Sequence, residues 1–292
     1  MTISKHIAVF AFPYGTHAAP ILHLVRMLAD SNTSVRFSFF TTAKSKLSLF
    51  SGQDSRNIRA YAISDGLPEG FVSTGEVEKL VEYFLKAAPE SFKNGVEAAE
   101  ADAGEKVSGL LTDAFLWFSG EMAAAMGVPW VAFWTAGPVS ISVHLYTDLI
   151  RSTYKKNGVG KNGEINLKFI PGMSEICMSD LPEGTVSSEV ESTFARMIDK
   201  MVLVLPKATA VVINSFEELD PAITNDLKTK LQNVLSIGPQ LLSSPPPSKP
   251  DESGCLTWLD TQRDKSVAYI SFGTICTPPP DELSALATAL ED

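Results

Sequence analysis

Long apolar runs are missing from this sequence. No stretch of its 292 residues approaches the roughly 18 needed to span a bilayer, so no transmembrane helix is expected. The N-terminus, MTISKHIAVFAF, lacks the small-residue cleavage region of a signal peptide. Positive charge is scarce too. The formal net charge is -10, with 24 Lys and Arg against 34 Asp and Glu, and no basic run exceeds two residues. Nucleic acid and anionic membrane surfaces are therefore disfavoured as partners. Cysteine is limited to Cys177, Cys255 and Cys276, an odd set without metal-ligand or redox spacing. That pattern predicts buried free thiols in a reducing compartment, and a soluble cytoplasmic protein.

Several motifs are absent as well. Only Gly15 stands in the first strand-to-helix turn, so the G-x-G-x-x-G dinucleotide fingerprint fails and a nucleotide-dependent oxidoreductase is disfavoured. There is no P-loop, no G-x-S-x-G nucleophile elbow and no metal-ligand cluster, and a metal is not expected.

What is present is alternation. His6 to Phe12 is almost continuously apolar, the mark of a strand covered on both faces. Ile21, Leu24, Val25 and Leu28 then recur at helical spacing. SVRFSFFTT, NIRAYAI, VSGLLTDA, VPWVAFWT, ATAVVINSF and VLSIGP read as further strands. Between them, Gly75 to Glu100 (interrupted at Pro89), SGEMAAAMG, GPVSISVHLYTDLIRSTY, ESTFARMIDKMVLVL and DPAITNDLKTKL read as helices. This order predicts an α/β fold, a doubly wound parallel sheet of Rossmann-like type.

Pro- and Ser-rich residues 242–253 read as a linker. Residues 1–241 are thus expected to form one domain. Residues 254–292 contain one more apparent strand, KSVAYISFGT, and one helix, PPPDELSALATALED. One strand and one helix cannot bury their own apolar faces, so this segment reads as the start of a second, incomplete α/β domain.

In open parallel sheets, ligands gather beyond the carboxyl ends of the strands. Three polar residues fall there. His17 follows the first strand and precedes the first helix, Asp113 ends GLLTD, and Thr135 ends WVAFWT. A helix N-terminus disfavours a charged imidazole, and a neutral imidazole is what a general base requires. If Asp113 accepts the Nδ1 proton, Nε2 is free to take one from a substrate hydroxyl. His6, His23 and mid-helix His144 read as structural from spacing alone.

The blocks FPYGTHAAPILHLVRMLA, LLTDAFLWFSGEMAAAMGVPWVAFWTAGPVSISVHLY, LPKATAVVINSFEELDP and YISFGTICTPPPDELSALATALE together resemble the plant UDP-dependent glycosyltransferases. The flavonoid and anthocyanidin 3-O-glucosyltransferase branch is the most similar. The resemblance implies a GT-B fold, with an N-terminal acceptor-binding domain (1–241) and a C-terminal UDP-sugar-binding domain that begins at 254. It also implies inverting transfer of glucose from UDP-glucose, as co-substrate, to the 3-hydroxyl of a flavonoid, by a monomer without a metal cofactor. In this light His17 matches the catalytic base and Asp113 the aspartate that orients it. His144, Phe115 and Phe194 match acceptor-binding residues, and Gly15 stands where the family often has serine. Glu78 and Pro182 stand where some members carry acceptor-contacting glutamines. Thr135 matches a donor-sugar contact, and Thr274 a hydroxyl that meets the nucleotide phosphates. The family's sugar-nucleotide signature box, with its H-C-G-W-N-S core, is not in this chain, which implies negligible transfer by these 292 residues alone. A catalytically dead flavonoid-binding or interaction protein is the alternative reading.

Overall fold

The computed structural model describes residues 5–50, 57–71, 77–157, 165–186, 192–243, 251–273 and 278–291. Its strands are β1 (Lys5–Phe10), β2 (Val35–Thr42), β3 (Ile58–Ile63), β4 (Gly109–Asp113), β5 (Trp130–Trp134), β6 (Ala210–Ile213) and β7 (Val234–Ser236). Its helices begin with α1 (Ala18–Ser31), α2 (Ala43–Leu49), α3 (Val77–Ala103), α4 (Ser119–Met126), α5 (Pro138–Leu145) and α6 (Thr147–Asn157). They continue with α7 (Glu183–Val186), α8 (Thr193–Val204), α9 (Pro221–Lys230), α10 (Cys255–Leu259) and α11 (Pro280–Glu291).

All seven strands pair in parallel, in the order β3-β2-β1-β4-β5-β6-β7. Successive side chains of a strand point to opposite faces, and β1 shows why its sequence is apolar throughout. Ala8, Phe10 and Phe12 enter one core with α3 and α8, whereas Val9 and Ala11 enter the other with α1. The chain winds outward from β1 in one direction and from β4 in the other. The crevice between these two neighbours is the topological switch point, where such sheets bind ligands.

Several helices depart from the sequence reading. The helix expected to break at Pro89 runs unbroken from Val77 to Ala103. Proline removes one backbone hydrogen bond, but Leu85, Ala88 and Phe92 on either side of it are buried, and packing holds the turn. The start expected at Gly75 lies outside the described residues. The expected helix from 137 to 154 divides into α5 and α6 at Tyr146, whose backbone N–H bonds both Ser142 and Val143. Helix α2 was not legible as an apolar stripe; the hydroxyl of Thr42 caps it by accepting from Ser45 N–H.

The chain divides into two compact units, Met1–Leu242 and Ser243–Asp292. Two expectations fail in the second. KSVAYISFGT does not form a strand over its described residues 265–273, and Tyr269 is 90% exposed. A strand exists by pairing, and this apolar segment has no ladder neighbour among the described residues. Cys255 is exposed rather than buried, because α10 has no core to enter, and Cys177 is half-buried. Cys276 lies outside the described residues.

Candidate active site at the strand ends

The turn after β1 brings His17 to the N-terminus of α1, where it is the capping residue without a side-chain cap bond. Gly15 makes the turn at φ 60°, in the left-handed region that suits glycine. Across the switch point, β4 ends at Asp113. The two side chains meet, with His17 Nδ1 2.8 Å from Asp113 Oδ2. A carboxylate only accepts, so Nδ1 carries the hydrogen and Nε2 is left as the basic nitrogen. The other carboxylate oxygen, Oδ1, accepts from Phe115 N–H at 2.9 Å, which fixes the carboxylate plane. The Asp113 side chain is 2% exposed and that of His17 20%, so the imidazole is accessible and its partner is not.

Aromatic rings surround the imidazole. Phe115 lies 4.5 Å from its centroid and Phe12 5.2 Å. Thr135, after β5, places its hydroxyl 3.5 Å from His17 Nδ1, and its carbonyl accepts from Asn214 Nδ2. Three of the residues expected at strand ends therefore converge on one point. Trp134 continues the wall, 5.7 Å from Phe115 on one side and 5.7 Å from His144 on the other.

Beyond Trp134 lies a cavity of about 210 Å³. His144, Pro182 and Phe194 line it together, with Arg151, Thr185 and Asp199. Burial lowers the His144 pKa to about 4, against a smaller opposing pull from the Asp199 carboxylate, so its ring is neutral. Arg151 bonds the Gly184 carbonyl at 2.7 Å and pairs with Asp199 at 3.1 Å, tying the segment that carries Pro182 to α6 and α8. Glu78 does not line this cavity. Its carboxylate accepts from Thr193 N–H at the start of α8, next to Phe194. Thr274 lies outside the described residues.

No protein-family model matches the chain. A flavonol 3-O-glucosyltransferase of Actinidia chinensis is 54% identical over 288 residues, which cover 98% of this chain and 63% of that protein. An anthocyanidin 3-O-glucosyltransferase of Vitis vinifera is 52% identical over 99% of this chain and 64% of its own length. Among solved structures, a UDP-glucose: anthocyanidin 3-O-glucosyltransferase in complex with UDP superposes with a TM-score of 0.90 at 38% identity. That match covers all of this chain and 65% of the other. The chain is thus similar over nearly its whole length to plant flavonol and anthocyanidin 3-O-glucosyltransferases. It spans just under two thirds of the curated relatives' length, and its fold is of the GT-B type.

Some contributors to this candidate site escaped the sequence reading. Trp134 read as the end of a buried strand, which it also is. Tyr14 donates its hydroxyl to the Leu80 carbonyl at 2.9 Å and packs on Phe12. Burial, with a smaller push from Asp65, raises its pKa to about 12, so it remains a donor. The Tyr14 position in the first turn was the available signal. The Arg151–Asp199 pair, 48 residues apart, left none.

Proposed function

We propose that this chain carries the acceptor side of a UDP-glucose-dependent flavonoid 3-O-glucosyltransferase. Residues 1–241 form the acceptor domain, 242–253 the linker, and 254–292 the beginning of the UDP-sugar domain. His17 Nε2 takes the proton of the flavonoid 3-hydroxyl, and the freed oxygen attacks the anomeric carbon of glucose. The bond to the UDP oxygen breaks as the new one forms, UDP leaves with the electron pair, and the configuration inverts. Asp113 holds the imidazole in the productive tautomer and stabilises the imidazolium that develops. The scheme asks for no metal, since deprotonation and displacement are both assigned to side chains and to the leaving group.

Phe115 and Phe194 offer faces to a flat polyphenol, and His144 a neutral polar edge. Gly15 leaves room beside His17, and Pro182 bounds the cavity without a side-chain donor. Glu78 is assigned to acceptor binding through the placement of Phe194 rather than by contact. Thr135 stands where a donor sugar would approach, and Thr274 is assigned to the nucleotide phosphates. The observation that carries this reading is the 2.8 Å bond between His17 and Asp113 at the switch point.

The test is a chimera in which the chain is completed by the C-terminal remainder of the Actinidia relative. With UDP-glucose and quercetin, mass spectrometry is expected to find a 3-O-glucoside. His17→Ala is expected to lower kcat by about 10²–10⁴, the usual worth of a general base. A variant that keeps full turnover would remove His17 from the chemistry.

A further inference from the structure

Helix α8 has two lined faces. Phe194, Ala195, Ile198 and Asp199 face the cavity of His144. Thr193, Arg196, Met197 and Lys200, at the i, i+3, i+4 and i+7 spacing of one helix face, border a different cavity of about 180 Å³. Helix α3 and Trp117, in the turn after β4, close it. Its floor is apolar, made by the buried Leu85 and Met197.

Three cations stand around that floor: Lys86 from α3, and Arg196 and Lys200 from α8. Lys200 Nζ sits 4.6 Å from the centre of the Trp117 ring. Arg196 Nη2 donates to Thr193 Oγ1 at 3.3 Å, which orients the guanidinium and leaves its other donors open. Glu82 is the only carboxylate in the lining, and among the described residues none of the three cations has a salt-bridge partner within 4.0 Å. In a chain of net charge -10, such a group of unneutralised cations is out of character. All three are solvent-exposed, so an anion from solution can reach them.

We propose that this cavity binds a monocyclic aromatic carboxylate, at a site separate from the one that holds His17. A carboxylate matches the planar fork of Arg196, with Lys200 and Lys86 as point charges beside it. An aromatic ring rests on Leu85 and Met197 and against the Trp117 indole. The apolar floor is only two side chains, Leu85 and Met197, beside a single indole, which gives a seat for one ring. Trp117 is two residues from Phe115 and Thr193 one from Phe194, so an occupant sits behind two aromatic walls of the proposed acceptor site.

The probe is 4-hydroxycinnamate, titrated into the 292-residue chain by calorimetry and followed through indole fluorescence. Saturable one-to-one binding is expected. Arg196→Gln combined with Lys200→Gln, and separately Lys86→Gln on the other helix, should each weaken it, the double variant at least tenfold. The uncharged methyl ester should bind at least tenfold more weakly than the acid. Phe194→Ala, on the opposite face of α8, should leave the affinity unchanged; quercetin binding should respond in the reverse manner, whatever the outcome for catalysis. Equal binding of acid and ester would overturn the proposal, as would affinity that follows Phe194 rather than the cations. Displacement by inorganic phosphate at equal concentration would also overturn it, since that outcome reads a general anion patch.

Discussion

His17 and Asp113 are 96 residues apart in sequence and 2.8 Å apart in space, because β1 and β4 are neighbours at the centre of the sheet. The bond orients the imidazole and selects its tautomer. Asp113→Asn keeps the shape and can keep the Phe115 N–H bond, but the amide NH₂ can donate to Nδ1 and leave the hydrogen on Nε2, the wrong nitrogen. In the completed chimera, kcat is expected to fall by about 10⁴, the cost of the equivalent change in a serine protease triad. Quercetin affinity, measured by titration, should stay within about threefold. Loss of affinity without loss of kcat would make Asp113 a binding residue instead.

This dyad was legible in the sequence for a physical reason. A parallel sheet delivers every strand's carboxyl end to one edge, so polar residues that end apolar strands share a place whatever their spacing. The same logic located Thr135. All seven strands of the sheet were legible, the central ones because both faces are covered and the edge strands β3 and β7 because their short runs are sharply bounded. What escaped was settled by tertiary contact. Pro89 is tolerated because the core holds α3 on both sides of it, and the break at Tyr146 is a matter of local hydrogen bonding. Residues 265–273 carry every sign of a strand, yet a strand needs a neighbour, which sequence periodicity does not report. The Arg151–Asp199 pair and the cap that Glu78 places on α8 join distant segments, and neither has a local signature.

His144 makes stability depend on pH. Its pKa in the fold is about 4, against the ordinary 6.5 of a histidine. Between these values the unfolded chain binds a proton that the folded chain does not, so stability is full above 6.5 and falls as pH drops toward 4. At about 1.4 kcal/mol per unit, up to roughly 3 kcal/mol is at stake. Other groups titrate in the same range, and subtraction isolates this one. The stability advantage of wild type over His144→Phe, from chemical denaturation, should be larger at pH 7 than at pH 4.5. An advantage that grows on acidification would contradict the assigned burial.

Gly172 should tolerate no side chain. It lies at φ +77°, and a Cβ there would come within 2.6 Å of Ile223 Cγ1 and 3.3 Å of Ile223 N. The left-handed backbone penalises alanine, and the contact is against the buried Ile223 of α9 rather than a flexible surface chain. Gly172→Ala is expected to destabilise by about 2 kcal/mol or more. Gly104→Ala is a control for the first effect alone, at φ +67° with nothing within 4 Å of the added carbon. Its loss, read from the same melts, should be the smaller. Equal losses would mean that the 170–173 turn yields to the new atom.

The unit Ser243–Asp292 should be dispensable to the stability of the first and a burden to its solubility. Its described apolar side chains Leu256, Trp258, Tyr269, Ile270 and Phe272 are all exposed, and exposed apolar surface favours association. Met1–Leu242 contains the whole seven-stranded sheet and both apolar cores. A cut after Leu242 also keeps the bond from Gln240 N–H to Asn214 Oδ1, through which the last turn of that unit is anchored near Thr135. Residues 1–242 are therefore expected to melt within about 2 °C of the 292-residue chain, since a loss under 1 kcal/mol moves a domain of this size by no more than roughly 2–4 °C. Light scattering at matched concentration should show less association. A lower melting temperature, or more aggregation after the cut, would mean that the second unit shields part of the first.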